Sequence, residues 1–119
     1  MAHAIHRIVD VFDSGRQEQI RQQLAMVLHG VVSQQLVLRA DGEGRVPAVE
    51  ILRGTYPVRH HIRKNQLQKI YHEIARGRSE GMVSMEESLT GLVREGVISR
   101  EEAEMRSLRP DELRSLMGG

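Results

Sequence analysis

The sequence predicts an α+β fold, in which a small antiparallel β-hairpin packs with five to seven helices. Two apolar runs rich in β-branched residues, at about 31–39 and 45–53, flank a short Gly-bearing connection at 40–44, which is typical of a hairpin. Before and after this region, apolar residues recur every three or four positions, as they do on the buried face of a helix. The 119 residues are expected to form a single domain.

Two helices are predicted before the hairpin. The first, at about 4–12, carries an apolar stripe made of Ile5, Ile8, Val9 and Phe12. Ser14 is expected to cap the second, at about 16–29, and Gly30 to end it in the left-handed conformation that glycine adopts readily. The apolar residues expected to face inward from this second helix are Ile20, Leu24 and Val27.

The first strand has apolar and polar residues on both faces. One face carries Val32, Gln34, Leu36 and Leu38, and the other carries Val31, Ser33, Gln35 and Val37. Such mixed faces indicate a strand covered on both sides, at the margin of a larger sheet. Pro47 in the second strand has no N–H to donate, so its nitrogen is expected to face an edge or a bulge. Because a two-stranded hairpin alone is marginal in water, this one is expected to lean on something larger, which need not belong to this chain.

Five helices are predicted after the hairpin, at about 57–64, 66–76, 85–95, from 99 onward, and 110–117. Thr55 and Ser84 are expected to cap the first and third of them, because a side-chain oxygen at that position can accept from a free backbone N–H. Gly77 is expected to end the second. Ser99 and Glu102 have the spacing of a capping box, in which two backbone donors are satisfied reciprocally.

Composition argues against several classes of protein. The net charge is +1 with acids and bases interspersed, so a nucleic-acid partner, which requires a basic face, is not expected. The absence of cysteine rules out disulfides and thiolate chemistry. No apolar run approaches the ~20 residues that span a bilayer, and no signal peptide precedes the first helix, so no membrane insertion is expected.

With only three aromatic residues the core is expected to be aliphatic. We interpret the chain as soluble and cytoplasmic.

The six histidines do not form a predicted metal site. His60 and His61 are adjacent and would point ~100° apart around a helix, and no third ligand stands at a recognisable spacing. Acidic pairs such as 86–87 and 101–102 fit the first turns of helices, where negative charge complements the helix dipole. No serine has the histidine and third group that a nucleophile needs, so no catalytic residue is predicted.

Several segments occur in the order known from one family of motor proteins. They read RIVDVF at 7–12, QEQIRQQL at 17–24, GVVSQQL at 30–36 and RADG at 39–42, followed by shorter matches at 81–93, 100–103 and 110–113. Over nearly its whole length the chain thus resembles the C-terminal half of the nucleotide-binding domain of the type IV pilus retraction ATPases, the PilT-like branch of the type II/IV secretion ATPases. The resemblance implies the C-terminal half of a RecA-like domain.

In that family the phosphate-binding loop, the acidic boxes and the histidine box precede the segment that matches this chain. The pattern G-x-x-x-x-G-K-[ST], whose backbone N–H groups cradle phosphates, does not occur in the 119 residues. The resemblance therefore implies that residues 1–119 are a C-terminal subdomain without the P-loop half and without ATP hydrolysis of its own. It implies ATP and Mg as cofactors of the full-length family and none for this chain.

The resemblance also implies an interaction motif at 57–64, where the family reads Ala-Ile-Arg-Asn-Leu-Ile-Arg-Glu, a motif associated with retraction. This chain reads PVRHHIRK there, and the predicted interaction residues are Val58, Arg59, Ile62 and Arg63. The family's asparagine, leucine and glutamate are replaced by His60, His61 and Lys64. Because the two arginines are four positions apart, both are expected on one helix face. The alternative is that they face water or pair with nearby acids.

The function implied by the resemblance is a mechanical part of a hexameric motor for pilus retraction and twitching motility. Its partners would be other subunits of the ring or the missing N-terminal half, together with the machinery at the pilus base. One alternative is a stand-alone interaction or regulatory domain derived from a truncated secretion ATPase, and another is a neighbouring branch of that family. A hairpin fully sheltered within this single chain would contradict the motor interpretation.

Overall fold

The computed structural model describes residues 2–118, with side chains from residue 4 onward. Its elements in chain order are α1 (Ala2–Asp10), α2 (Ser14–Val27), β1 (Gly30–Leu38), β2 (Arg45–Arg53), α3 (Tyr56–Arg63), α4 (Ile70–Arg76), α5 (Met85–Arg94), α6 (Arg100–Arg106) and α7 (Pro110–Met117). Two short 3-10 helices, Leu67–Lys69 and Gly77–Glu80, precede and follow α4. Seven α-helices and a two-stranded antiparallel sheet within the described residues confirm the predicted α+β class.

The two strands keep one register along their whole length. Arg39 N donates to Gly44 O at 3.0 Å at the loop end, and Gly54 N donates to His29 O at 2.8 Å at the other end. Both pairs belong to the same residue-to-residue alignment of β1 with β2, so no bulge interrupts the ladder between them. In the loop, Asp41 Oδ1 accepts from Glu43 N at 2.8 Å, and this bond, with the Arg39 side chain, lowers the pKa of the Asp41 carboxyl.

The chain divides into two compact units, each with its own buried aliphatic cluster. The first comprises the residues up to Ser33 and Ile51–Met82, and the second comprises Gln34–Glu50 and the residues from Val83 onward. Buried in the first are Ile5, Ala25, Leu52, Val58, Ile62, Ile70, Ile74 and Met82. Buried in the second are Val37, Ala48, Met85, Leu89, Ile98, Ala103 and Leu113. The predicted aliphatic composition is confirmed for both clusters, whereas the single domain stays a prediction.

The end of α2 differs from the prediction. The helix ends at Val27, Leu28 is already extended, and Gly30 is the first residue of β1 rather than a left-handed helix end. Pairing with β2 decides this, because a Cβ at Gly30 would lie 3.0 Å from the carbonyl oxygen of Leu52. Val27 was predicted to face inward but is exposed, and Ala25 is the fully buried residue of this helix. At the other end, Asp13 holds the N-cap position predicted for Ser14 and makes no side-chain cap bond.

Within the described residues the hairpin is covered on one face. Burial alternates along β1, and Val37 on the inner face is fully buried. On the outer face Val32 is 69% exposed and Leu36 is 50% exposed. Among the described residues nothing shelters this outer face, and the cover that the mixed strand faces predict on this side stays a prediction.

Two of the predicted helix caps are confirmed by side-chain hydrogen bonds. Ser84 Oγ accepts from Glu87 N at 3.1 Å, and Ser99 Oγ accepts from Glu102 N at 3.0 Å, as expected for caps. Thr55 holds the N-cap position of α3 but makes no side-chain cap bond. Gly77 follows α4 without a left-handed backbone, because the chain continues into a 3-10 turn that ends at Gly81, where φ is 87°.

Candidate interaction site

The predicted interaction residues all lie on α3, which starts where three elements meet. Gly54 leaves β2 so close to the end of α2 that a Cβ on it would lie 2.0 Å from the carbonyl oxygen of Leu28. Only glycine permits this approach, because no shift of a flexible side chain could relieve a clash with backbone. Pro57 lies in the first turn of α3, where its missing N–H costs no hydrogen bond.

Val58 and Ile62 are fully buried in the cluster of the first unit. They lie four positions apart and therefore form the inner face of α3. In this structure neither side chain is available to a partner. Their contribution to the motif is to hold α3 against the other helices of the unit.

Arg59 is half-buried and binds backbone rather than an acid. Its Nη2 donates to the carbonyl oxygen of Leu28 at 3.0 Å. Leu28 caps the C-terminal end of α2, where unpaired carbonyl groups favour a cation. Arg59 Nε is also buried and has no hydrogen-bond partner among the described residues. Arg59 therefore ties α3 to the end of α2.

Arg63 contacts a different group, although the spacing placed both arginines on one face. Its guanidinium carbon lies 5.9 Å from the centroid of the Tyr56 ring, a cation–π distance. The His60 ring stacks on the same tyrosine with centroids 6.5 Å apart. Tyr56 is 75% exposed, whereas His60 and Arg63 are half-buried, and we call these three side chains the Tyr56 face (Tyr56, His60 and Arg63).

His61 points to the other side of α3 and joins it to α4. Its Nε2 lies 3.2 Å from Oε1 of Glu73, and the two side chains are only 14% and 11% exposed. Arg76 Nη1 lies 3.7 Å from the same oxygen. A largely buried histidine–carboxylate pair thus links α3 to α4. The pairing of His61 with Glu73 was not predicted, because the two residues are twelve apart in helices separated by a turn and no periodic pattern links them.

Metal binding and membrane insertion find no support in the part of the chain that the structure describes. No three of its histidine, aspartate and glutamate side chains are arranged to hold a metal ion. Within residues 2–118 every helix is too short or too polar to cross a bilayer.

No protein-family model matches this chain. Among curated proteins, a twitching motility protein of Neisseria gonorrhoeae is 42% identical over 106 residues, which are 89% of this chain and 28% of that protein. PilT of Pseudomonas aeruginosa, described as a type IV pilus retraction ATPase, is 39% identical over 110 residues, which are 92% of this chain and 32% of that protein.

Solved structures give a consistent result. The crystal structure of the pilus retraction motor PilT with bound ADP superimposes on 97% of this chain with a TM-score of 0.81 and 36% identity, and the match covers 32% of that chain. The ATPase DotB of Yersinia pseudotuberculosis matches 88% of this chain with a TM-score of 0.70. Its identity of 22% shows a shared fold alone. The chain spans about a third or less of the length of each of these proteins.

Proposed function

We propose that this chain, which is homologous to the C-terminal part of the PilT-like pilus retraction ATPases, forms the C-terminal portion of a hexameric motor for pilus retraction and twitching motility. The observation that carries the proposal is the match of 97% of the chain to a PilT structure at 36% identity. The retraction activity, the hexamer and the contact with the pilus base are properties that we transfer from those relatives.

The role of the chain in this motor is mechanical. Val58 and Ile62 anchor α3 in the core of the first unit, and Arg59 fastens it to the end of α2. A force applied to the Tyr56 face is therefore passed to α2 and to the base of the hairpin, because packed elements move together rather than deform. We propose that the segment with Val58, Arg59, Ile62 and Arg63 transmits movement between neighbouring subunits, with Arg63 making the contact.

The chain does not hydrolyse ATP by itself in this proposal, since the relatives that bind nucleotide are about three times as long. ATP and Mg act in the full-length motor, which works in the cytoplasm beside the membrane-embedded pilus base. Isothermal titration of the chain with ATP and Mg is expected to give no saturable heat. Micromolar binding would overturn this part of the proposal.

A chimera tests the mechanical role. In PilT of Pseudomonas aeruginosa, the segment that matches this chain is replaced by the chain itself, and the product is expressed in a strain without PilT. We expect hexamers by size-exclusion chromatography, ATP turnover and restored twitching. Hexamers that turn over ATP without any twitching, or a chimera that never assembles, would contradict the proposal.

Variants of the same chimera test the Tyr56 face. Arg63→Ala is expected to abolish twitching and leave assembly and ATP turnover intact, because it removes a surface contact and no core packing. Lys69→Ala, an exposed cation in the same unit, is the matched control and is expected to twitch normally. Equal twitching of the two variants would show that Arg63 takes no part in the mechanism.

One observation favours the alternative of a stand-alone interaction domain. Each unit has its own buried cluster, so neither requires another chain for a core. Size-exclusion chromatography and thermal circular dichroism separate the two proposals. A sharply melting monomer favours the stand-alone domain, whereas concentration-dependent oligomers favour a part of a larger motor.

A further inference from the structure

The two units differ in charge, and α3 lies in the basic one. The first unit has ten Lys and Arg against five Asp and Glu, whereas the second has seven against eleven. Between Arg53 and Glu73 there is no Asp or Glu, while four Lys and Arg and three His occur there. A concentration of one sign of charge raises the local concentration of partners of the opposite sign. The stretch that contains α3 therefore favours an anionic partner.

Helical geometry gathers part of this charge on the side of α3 that faces away from the core. We call this side the outer stripe of α3 (Tyr56, His60, Arg63 and Lys64). At ~100° per residue its four members lie within about 100° around the helix axis, and the fully buried side chains of α3 lie on the opposite side. Tyr56 and Lys64 are exposed, and they are about 12 Å apart at the rise of a helix.

The two permanent cations of the outer stripe are not neutralised. Among the described residues, neither Arg63 nor Lys64 forms an ion pair with an acidic side chain. Arg63 lies beside the Tyr56 ring, whose π system attracts a cation and leaves its charge in place. In the same unit, Arg76 Nη1 lies 3.7 Å from Oε1 of Glu73. The outer stripe thus holds two cations that a partner's anions can still pair with.

We propose that the outer stripe of α3 binds an acidic segment of a protein partner, whose carboxylates pair with Arg63 and Lys64. The proposal rests on the proposed function, in which Arg63 makes the contact, and it names the chemistry of the surface that Arg63 meets. A guanidinium holds one carboxylate through two parallel N–H···O bonds, and an ammonium pairs with a second as a point charge. Tyr56 adds an aromatic surface, and tyrosine and arginine are the residues that most often dominate the binding energy of interfaces.

The same observations favour a protein over an anionic membrane. Attachment to anionic lipid uses clusters of about four to eight Lys and Arg, and the outer stripe has two. Tyr56 is also the one large apolar side chain that α3 exposes, so little apolar area is available to enter a lipid surface. Two cations beside one aromatic ring match a small number of carboxylates with a fixed geometry.

Two probe peptides test the proposal with the full chain. One is an alanine-based helix with Glu at every fourth position, and the other has Gln at the same positions. Fluorescence anisotropy is expected to show at least tenfold tighter binding of the Glu peptide, and about 0.5 M NaCl is expected to abolish the difference because it screens exposed charges. Equal binding of the two peptides at low salt would overturn the proposal.

Variants of the chain show whether the outer stripe is the binding surface. The double variant Arg63→Gln/Lys64→Gln is expected to lose the preference for the Glu peptide and to keep its circular dichroism spectrum. Lys69→Gln changes an exposed cation outside the stripe and is the matched control, which is expected to keep the preference. An unchanged preference in the double variant would contradict the proposal.

Vesicles of phosphatidylcholine with about one third phosphatidylglycerol test the membrane alternative. The chain is expected to stay in the supernatant when such vesicles are sedimented, because two cations give too little attraction. Sedimentation with the vesicles that the double variant loses would identify anionic lipid as the occupant and contradict an acidic protein.

Carbodiimide cross-linking locates the partner in the PilT chimera, because this reagent couples a lysine amine directly to a carboxylate in contact with it. We expect Lys64 to be joined to an Asp or Glu of another chain. Lys64→Arg, which keeps the charge, is expected to lose the cross-link and to twitch normally. A twitching chimera cross-linked at Lys69 and not at Lys64 would overturn the acidic partner and leave the proposed function standing. A chimera that never assembles would contradict the proposed function, and a preference for the Glu peptide would then remain a property of the chain itself.

Discussion

Arg59 donates from Nη2 to the carbonyl oxygen of Leu28 across 3.0 Å. The same oxygen is the atom that excludes a Cβ at Gly54. The end of α2, the end of β2 and the start of α3 therefore meet at one carbonyl group. This joint gives Arg59 a structural role that the motif did not reveal, and it separates Arg59 from Arg63.

Arg59→Met is expected to destabilise the chain by about 1–2 kcal/mol, because the carbonyl of Leu28 loses a charged donor in a half-buried site. Arg63→Met is the matched control. It is expected to cost about 0.5 kcal/mol, because its cation–π contact is made to the solvent-exposed ring of Tyr56. Urea denaturation of both variants gives the comparison. Equal losses would mean that the bond to Leu28 adds nothing to stability.

Gly54→Ala is expected to destabilise by about 3 kcal/mol, because the methyl group can be accommodated only by moving the backbone of Leu28. Gly91→Ala in α5 is the contrasting change, since nothing lies within 4 Å of its Cβ position. Alanine there is expected to stabilise by up to about 1 kcal/mol, as in other helix interiors. The two melting temperatures should move in opposite directions, and a neutral Gly54→Ala would contradict the close approach.

Glu86 makes stability depend on pH. It is 2% exposed, and burial raises the pKa of its carboxyl although Ser107 Oγ donates to Oε2 at 2.9 Å. The folded state therefore holds the proton to higher pH than the unfolded state does. Its contribution to stability is present below the ordinary pKa of 4.5 and is lost as pH rises through the elevated value.

Glu86→Gln removes this titration and keeps an oxygen that accepts from Ser107. The unfolding free energy of the variant minus that of the parent is expected to increase from pH 4 to pH 8. Urea denaturation across this range measures the difference. A difference that does not change with pH would contradict the raised pKa.

Ser99→Ala is expected to cost about 1 kcal/mol, because the N–H of Glu102 loses its acceptor at the start of α6. Ser115→Ala, on the exposed side of α7, is the control and is expected to change stability by less than about 0.5 kcal/mol. Thermal unfolding followed by circular dichroism distinguishes them. Identical melting temperatures would show that the Ser99 cap does not contribute to the stability of the chain.

Elements whose signals are local in the sequence were predicted with the correct bounds. The second strand and the last helix have the predicted bounds, 45–53 and 110–117, because alternation, turn residues and Pro110 lie within those few residues. The caps at Ser84 and Ser99 were found for the same reason. Gly30 was misassigned, since glycine after a helix has two common uses and the pairing of β1 with β2 decides between them.

At the candidate site, local spacing was a poorer guide. Four residues of separation placed Arg59 and Arg63 together, yet one binds a carbonyl group and the other a tyrosine ring. Those partners come from a helix end that is distant in sequence and from the start of α3 itself. The pairing of His61 with Glu73 was missed because it requires the path of the chain between two helices.

The amino-acid sequence alone determined the α+β class, an aliphatic interior and the resemblance to retraction ATPases, because each depends on composition or on the order of short segments. Tertiary structure alone decided which side chains meet at Leu28 and which face of the hairpin stays exposed. Both of these depend on strand pairing and on contacts between distant residues, and neither produces a periodic pattern in the sequence.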